Sequence, residues 1–219
     1  MNVMELDHVS YSYPGSGAKV LTDVCAGFEP GTVTALLGAS GAGKSTLLSL
    51  LAGLDMPTKG AVLFEGVDIA TTGYAHHRRA HISLVFQNYN LIDYLTPLEN
   101  VRLVDRRADS SVLVELGLSE DEIHRNVLRL SGGQQQRVAI ARALASPAPV
   151  ILADEPTGNL DEDTARGVVQ ILHDAAHLHG KCVILVTHSA DIARGADRVL
   201  RSPTGASPSE PPCAKRTVH

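Results

Sequence analysis

The stretch Gly38-Ala39-Ser40-Gly41-Ala42-Gly43-Lys44-Ser45 matches the phosphate-binding pattern G-x-x-x-x-G-K-S/T. An apolar run at 33–37 precedes it, and a segment predicted to be helical follows it from about 43 to 52. A glycine-rich turn between a strand and a helix directs free backbone N–H groups and the positive end of the helix dipole at an anion. We therefore predict a nucleotide phosphate site here, in preference to an ordinary glycine-rich turn.

Individual side chains of this stretch are suited to bind a nucleotide together with a cation. The ammonium group of Lys44 is expected to reach the β- and γ-phosphates, and the hydroxyl of Ser45 to bind Mg²⁺. Small or hydroxyl-bearing residues let the backbone close around the phosphates. We expect those contacts from Gly38, Ser40, Gly41, Gly43 and Thr46.

The composition is that of one folded domain. The chain has 219 residues, 44% of them hydrophobic, and a formal net charge of −5. This hydrophobic content excludes wholesale disorder, and the mild acidity argues against a dedicated nucleic-acid binder. No apolar run approaches the roughly 18 residues of a membrane-spanning helix, so action at a membrane is expected to require a partner.

Short apolar segments alternate with longer helical ones. Residues 33–37, 150–153 and 182–186 are predicted to be strands buried on both faces. A helix is predicted from about Asp161 to Leu178, between the last two of these strands. Alternation of this kind predicts a parallel sheet covered by helices.

Two regions depart from this alternation. Segments 4–13, 20–28 and 61–67 are predicted to be strands with no helices between them, which indicates a small N-terminal antiparallel sheet. Residues from about 90 to 145 are predicted to be mostly helical.

The last 18 residues, 202–219, are rich in proline and serine. This composition predicts a disordered tail that follows a domain at 1–201.

Two carboxylates follow the apolar segment at 150–153. Ligands of open parallel sheets bind beyond the carboxyl ends of the strands, so Asp154 and Glu155 are expected beside the phosphate site. The side chains of adjacent strand residues point in opposite directions, so Asp154 and Glu155 could have different roles. We expect Asp154 to hold the Mg²⁺ shell and Glu155 to polarise the attacking water; the alternative is an acidic strand end at a solvent edge.

A second glycine-rich helix start lies at Leu130-Ser131-Gly132-Gly133-Gln134, before a helix predicted at 135–145. Ser131 and Gln134 form a capping box, which is the purely structural interpretation. A cap does not need two consecutive glycines, whereas glycines at a helix start let a ligand approach free N–H groups closely. The chain thus has two phosphate-type helix starts and one evident nucleotide site.

Over roughly residues 3–200 the sequence resembles the nucleotide-binding subunits of ATP-binding cassette (ABC) transporters, of which the run at 130–134 is the diagnostic signature. The resemblance implies an α/β fold: a P-loop NTPase core with a mixed, mainly parallel sheet, an N-terminal antiparallel β subdomain, and an α-helical signature subdomain at about 90–145. It implies an ATPase with ATP and Mg²⁺ as cofactors. Asp154 and Glu155 match the family's Walker B aspartate and catalytic glutamate.

The resemblance also assigns roles to isolated residues. Tyr13 is implied to stack on adenine, although Tyr11, on the same strand face, could take its place. Gln87 is implied to sense the γ-phosphate and contact Mg²⁺, and His188 to be the catalytic switch histidine. Asp161 lies in the loop that is implied to contact a second subunit.

In the family, two such subunits pack head to tail. Ser131, Gly132, Gly133 and Gln134 are therefore implied to contact the nucleotide held by the other chain. The expected partners are a second nucleotide-binding subunit, in a homodimer, and a separate transmembrane permease, with no nucleic acid. The expected location is the cytoplasmic face of the cell membrane.

Segments 95–101 and 155–161 are similar to one branch of the family. That branch serves lipoprotein release, macrolide and antimicrobial-peptide export, and cell division. The branch implies export or extraction through the permease; the alternative is a cell-division-type subunit that regulates a membrane partner without transport. A soluble family member acting on ribosomes or DNA would need tandem cassettes or a long coiled-coil insertion, and the sequence has neither.

Two histidine clusters remain. His173 and His177 have i, i+4 spacing on a predicted helix, which could suit a metal, but no third ligand is evident from the sequence. We therefore expect a solvated helix face there. The second cluster, at 76–81, predicts an exposed helix.

Overall fold

The computed structural model describes residues 1–15, 19–39, 41–158 and 160–201. Ser40 and the predicted tail at 202–219 therefore lie outside the described residues. The strands are β1 (Met4–Ser12), β2 (Lys19–Phe28), β3 (Val33–Leu37), β4 (Lys59–Phe64), β5 (Val67–Asp68), β6 (Ile82–Val85), β7 (Val150–Asp154), β8 (Cys182–Thr187) and β9 (Arg198–Arg201). The helices are α1 (Lys44–Leu51), α2 (Ile69–Thr72), α3 (Tyr74–Ala80), α4 (Pro97–Arg102), α5 (Ser111–Glu115), α6 (Glu120–His124), α7 (Gly132–Ala145), α8 (Glu162–His177) and α9 (Ala190–Arg194).

The central sheet has the order β6-β7-β8-β3-β9, and each neighbouring pair is parallel. The strands predicted at 33–37, 150–153 and 182–186 are confirmed as β3, β7 and β8. Along β7 the side chains of Val150 and Leu152 pack with the N-terminal sheet and α1, whereas Ile151 and Ala153 pack with the helical side. Burial on both faces explains why these strands are apolar at nearly every position.

The N-terminal sheet has the order β2-β1-β4-β5 with antiparallel pairs. The single strand predicted at 61–67 is wrong, because the segment is a hairpin of β4 and β5. Glu65 and Gly66 both have positive φ, 49° and 79°, and form its two-residue turn. The N-terminal antiparallel β subdomain implied by the resemblance is thus confirmed as a separate sheet, and in the described residues the core sheet is parallel throughout.

The helical elements between β6 and β7 pack on one another and on the central sheet, and α4 has its main contacts with α7. The signature helix α7 begins at Gly132, three residues before the predicted start. Ser131 is its N-cap, and the predicted capping box is present in both directions. The helix predicted at 161–178 is α8, with Asp161 as its N-cap.

The histidine-rich segment at 76–81 is helical, as predicted, but it is not wholly exposed. His77 is fully buried, and its Nε2 lies 3.0 Å from the carbonyl oxygen of Leu51. The ring of His81 stacks on Phe64 with 3.8 Å between ring centroids. The sequence-based prediction was wrong here because contacts with α1 and β4, distant in the chain, bury one face of α3.

Candidate functional site

The motif residues meet at the carboxyl edge of the central sheet. Leu37 pairs with Thr187 and Asp154 pairs with Val186, so β3, β7 and β8 end close to the same level. A cleft of about 700 Å³ opens at this edge. Its lining residues are Tyr13, Val20, Gly41, Ala42, Gly43, Lys44, Ser45, Thr46, Gln87, Asp154, Glu155, Val186 and His188.

The first turn of α1 faces this cleft with a glycine as its N-cap. Gly43 has φ 71° and provides no side-chain cap, and Gly41 has φ 78°. A Cβ on Gly43 would lie 3.1 Å from a methyl carbon of Leu21 and 3.3 Å from the carbonyl oxygen of Val20. The positive φ therefore favours glycine, and a side chain here would also crowd Leu21 and Val20. The N–H groups of this turn are left for a ligand, and the helix dipole favours an anion.

Lys44 and Ser45 lie at the base of the cleft. Lys44 is buried, and its Nζ donates to the carbonyl oxygens of Gly38 and Ala39, each at 2.7 Å. These bonds hold the ammonium over the glycine-rich loop, where phosphate oxygens can compete for it. The hydroxyl of Ser45 donates to Oδ1 of Asp154 at 3.3 Å and so connects the loop to the end of β7.

Asp154 and Glu155 line the same cleft, and the expectation that they point to opposite sides is wrong. Asp154 is the last residue of β7, whereas Glu155 has φ 46° and has left the strand. The left-handed conformation interrupts strand alternation, and it is costly for a residue with a Cβ. Burial raises the pKa of Asp154, while the hydrogen bond from Ser45 opposes this shift.

His188 contacts the second of these carboxylates. Its Nδ1 lies 2.9 Å from Oε1 of Glu155. The Glu155 side chain is 15% exposed and that of His188 is 66% exposed, so the imidazole lies on the outer side of the carboxylate. Gln87, two residues after β6, lines the cleft as well. The cleft therefore brings together every described catalytic and metal-binding candidate from the sequence.

Tyr11 lies within β1 and Tyr13 directly follows this strand, and the two side chains have different surroundings. Tyr13 is 48% exposed and lines the cleft, and its hydroxyl oxygen lies 2.8 Å from Oγ1 of Thr46. Tyr11 is 3% exposed, and its hydroxyl donates to Asp55, which raises the pKa of Tyr11 to about 12. Of the two rings, only that of Tyr13 is open to a base. Val20, which sequence reasoning did not single out, adds apolar surface beside it.

The signature residues lie outside this cleft. Ser131 and Gly132 are exposed, and the side chains of Ser131 and Gln134 bond to each other's backbone N–H groups. Asp161 likewise caps its own helix by accepting from the N–H of Thr164 at 2.9 Å. The fold therefore does not bring these predicted nucleotide contacts to the chain's own phosphate site.

A contact that the sequence did not indicate joins α7 to the segment after Gln87. Arg142 donates to the carbonyl oxygens of Asn90 at 2.7 Å and Tyr89 at 3.2 Å. Both of these residues have positive φ, 52° and 58°. No sequence motif marks Arg142, so sequence analysis could not predict its role. In the structure its two hydrogen bonds hold the loop between the cleft and the signature helix.

Comparison with known proteins agrees with this geometry. The chain matches the family model "ABC transporter" over residues 21–158. It belongs to the ABC transporter family. As an ABC cassette it is 39% identical to YclH of Bacillus subtilis, an uncharacterised ABC transporter ATP-binding protein, over 94% of this chain and 95% of that one.

Two further relatives bear on its activity. The macrolide export ATP-binding/permease protein MacB of Bartonella henselae is 39% identical over 93% of this chain, which spans only 33% of that protein. The dimeric post-hydrolysis structure of the ATP-binding cassette MJ0796, bound to ADP and Pi, has a TM-score of 0.80 and 35% identity, covering 91% of this chain and 94% of that one. The chain is an ABC ATPase that binds ATP.

We predict that Tyr13→Ala weakens ATP binding by about 5- to 150-fold, since loss of a base-stacking aromatic costs about 1–3 kcal/mol. Tyr13→Phe keeps the ring and should bind ATP almost as well as wild type. Tyr11→Phe removes only the buried hydroxyl and is the matched control, expected to change stability without changing affinity. Titration with a fluorescent ATP analogue measures this. Unchanged ATP affinity in Tyr13→Ala would contradict the stacking role of Tyr13.

Proposed function

We propose that this ABC cassette powers a transporter whose separate membrane permease exports or extracts a substrate. The observation that supports the proposal most strongly is the division of the site. The phosphate-binding turn, both carboxylates and His188 line one cleft, while the second glycine-rich helix start, at Ser131, is exposed outside it. A complete site therefore needs a second chain, and two chains that close and reopen can do mechanical work.

We propose that the cleft holds Mg²⁺ with ATP, because its donor set suits that ion. The hydroxyl of Ser45, the carboxylate of Asp154 and the amide oxygen of Gln87 are oxygen donors, which Mg²⁺ prefers. Oγ of Ser45 and Oδ1 of Asp154 are already 3.3 Å apart. When bound, the ion neutralises charge on the β- and γ-phosphates.

Hydrolysis in this proposal depends on the residues at the end of β7. The carboxylate of Glu155 accepts a hydrogen bond from water and orients it for attack on the γ-phosphate. His188, at 2.9 Å from that carboxylate, fixes its rotamer from the solvent side. Lys44 and the N–H groups at the start of α1 bind the phosphates and stabilise the charge that develops on them.

We predict that Glu155→Gln lowers kcat by about 10²- to 10⁴-fold while ATP still binds, because the amide cannot accept the proton of water. Phosphate release and equilibrium ATP binding are measured on the same preparation. Glu162→Gln is the matched control: Glu162 is exposed, pairs with Arg166 on α8 and should leave kcat unchanged. Full activity in Glu155→Gln would remove Glu155 from the proposed role.

We propose that the signature acts on the partner's nucleotide. The capping box of Ser131 and Gln134 occupies the N–H groups of those two residues. The N–H groups of Gly132 and Gly133 lie in the same first helical turn, and neither glycine has a side chain of its own to cover them. The hydroxyl of Tyr89 lies beside Gly132, 2.8 Å from where a Cβ would be. A γ-phosphate held by another chain can reach them without displacing the cap.

We predict that Ser131→Arg lowers turnover by about 10²- to 10³-fold, since its bulk and charge keep the signature from stabilising the reacting phosphate. ATP binding to the isolated chain should be unchanged. The same substitution also removes a helix cap, which by itself costs about 0.5–2 kcal/mol of stability. Ser119→Arg is the matched control, because Ser119 forms the equivalent capping box with Glu122 on α6.

Mixing two inactive chains distinguishes action in trans from action in cis. A dimer of one Ser131→Arg chain and one Lys44→Ala chain keeps one complete composite site, formed by the intact P-loop of the first and the intact signature of the second. Because half of the dimers in an equal mixture are mixed and each has one complete site of two, about a quarter of wild-type activity should return. No recovery would contradict the trans arrangement.

The transport part of the proposal is supported by the relatives' names. YclH is described as an ABC transporter ATP-binding protein, and MacB combines an ATP-binding and a permease part in one export protein. In the described part of this chain, no helix has the length and apolar character needed to cross a membrane. We propose that a permease in a separate chain recruits this cassette to the cytoplasmic face of the membrane.

We predict that the tagged chain, extracted with detergent from its native membranes, co-purifies with an integral membrane protein that raises its ATPase rate. Reconstitution of the pair into vesicles then tests transport directly. ATP-dependent movement of a substrate across the vesicle membrane supports export or extraction. Stimulated ATPase without any substrate path in the membrane protein would favour the regulatory alternative, and the absence of a membrane partner would contradict both.

A further inference from the structure

A cluster of two histidines and one aspartate lies where the last turns of α8 meet the amino end of β3. His173 and His177 are one helical turn apart on α8, with 5.2 Å between ring centroids. Nε2 of His177 lies 2.9 Å from Oδ2 and 3.2 Å from Oδ1 of Asp197, which precedes β9. One ligand atom from each residue lies within 4.8 Å of the other two. In the described residues no other group of three His, Cys, Asp or Glu side chains meets this spacing.

The aspartate of this cluster has a fixed orientation. Oδ2 of Asp197 accepts the backbone N–H of Val33, the first residue of β3, at 2.7 Å. A metal-binding carboxylate held by a second hydrogen bond is oriented before the ion arrives, which lowers the cost of binding. The hydrogen bond from Val33 also compensates Asp197 for the water that its partly buried carboxylate has lost.

The cluster is also accessible. The side chains of His177 and Asp197 are 44% and 33% exposed. Both histidines line a groove of about 790 Å³ along α8 and α9. An ion can therefore enter without a rearrangement of the backbone. Tetrahedral Zn²⁺ with Zn–N bonds of about 2.0–2.1 Å requires ligand atoms about 3.4 Å apart. Small side-chain rotations bring the ligand atoms of the cluster to that spacing.

We propose that His173, His177 and Asp197 bind a divalent transition-metal ion of the Zn²⁺ type. Two imidazoles and one carboxylate are a donor set that Zn²⁺ and its neighbours in the first transition row prefer, with water in the remaining position. Mg²⁺ prefers oxygen donors and does not compete effectively for imidazoles. Binding requires the hydrogen-bonded nitrogen of His177 to be free of its proton, which moves to the other ring nitrogen or to water.

The position of the cluster indicates that the metal stabilises the fold and does not take part in ATP hydrolysis. Asp197 is held at the amino end of β3, whereas the phosphate-binding loop follows the carboxyl end of that strand. Along α8, His173 is about 16 Å from Glu162, the first residue of the helix, at 1.5 Å per residue. An ion here connects the last turns of α8 to the start of β9. The groove that holds both histidines extends to Glu155 and His188 at its other end, so His188→Ala is a necessary arm of the test.

The experiment uses the whole chain in nucleotide-free buffer, with Zn²⁺ added and binding followed by calorimetry and thermal unfolding. We expect one Zn²⁺ per chain and a Tm about 5–11 °C higher at a free Zn²⁺ concentration 100-fold above Kd. His173→Ala and His177→Ala should each weaken binding by at least tenfold. His179→Ala, which removes an exposed histidine just beyond the helix, is the matched control and should bind as wild type does.

Two further arms keep the result interpretable. Asp197→Asn keeps an oxygen that can accept the N–H of Val33, so it should fold normally and yet bind Zn²⁺ at least tenfold more weakly. Mg²⁺ in place of Zn²⁺ should leave Tm unchanged without nucleotide. The proposal is overturned if the His173 and His177 variants bind like His179→Ala, or if His188→Ala abolishes binding, which would assign the ion to the nucleotide cleft. ATPase activity of the metal-site variants should remain at the wild-type level, so failure here leaves the proposed function untouched.

Discussion

The parallel pairing of β3, β8 and β7 is the constraint on which the site depends. Parallel strands in register end at one edge, so the residues that follow them are neighbours there although they are far apart in the chain. The phosphate-binding loop after Leu37, the carboxylates after Ala153 and the histidine after Thr187 meet for this reason. Burial of both faces of the sheet fixes the register, since a one-residue slip would exchange every side chain between the two faces.

Two helix starts in this protein are capped in opposite ways, and the difference corresponds to two proposed roles. The cap of α1 is a glycine in a left-handed conformation with no side chain to occupy the first-turn N–H groups. The cap of α7 is Ser131, whose capping box with Gln134 holds the helix together without a ligand. The first arrangement favours an anion bound within the chain. The second forms a stable, exposed surface that a partner's nucleotide can approach.

A strained backbone conformation and a partly buried carboxylate lie side by side where the chemistry is proposed. Glu155 has a left-handed backbone at the end of β7, which turns its carboxylate into the cleft beside Asp154. Burial raises the pKa of Asp154, and a nearby cation reverses this effect by favouring the charged form. In the proposed mechanism a bound Mg²⁺ supplies the positive charge that the two adjacent carboxylates need.

Local sequence determined the phosphate loop, the strands β3, β7 and β8, the capping boxes and the membership of a family with a diagnostic signature. These features depend on residues close together in the chain, through periodicity, glycine conformation and side-chain capping. Tertiary structure alone decided that Tyr13 rather than Tyr11 faces the cleft, that Glu155 turns towards Asp154, that His77 is buried, and that Asp197 completes a cluster with His173 and His177. Each of these depends on contacts between distant segments, whose geometry is set by sheet register and helix packing and leaves no pattern in the local sequence.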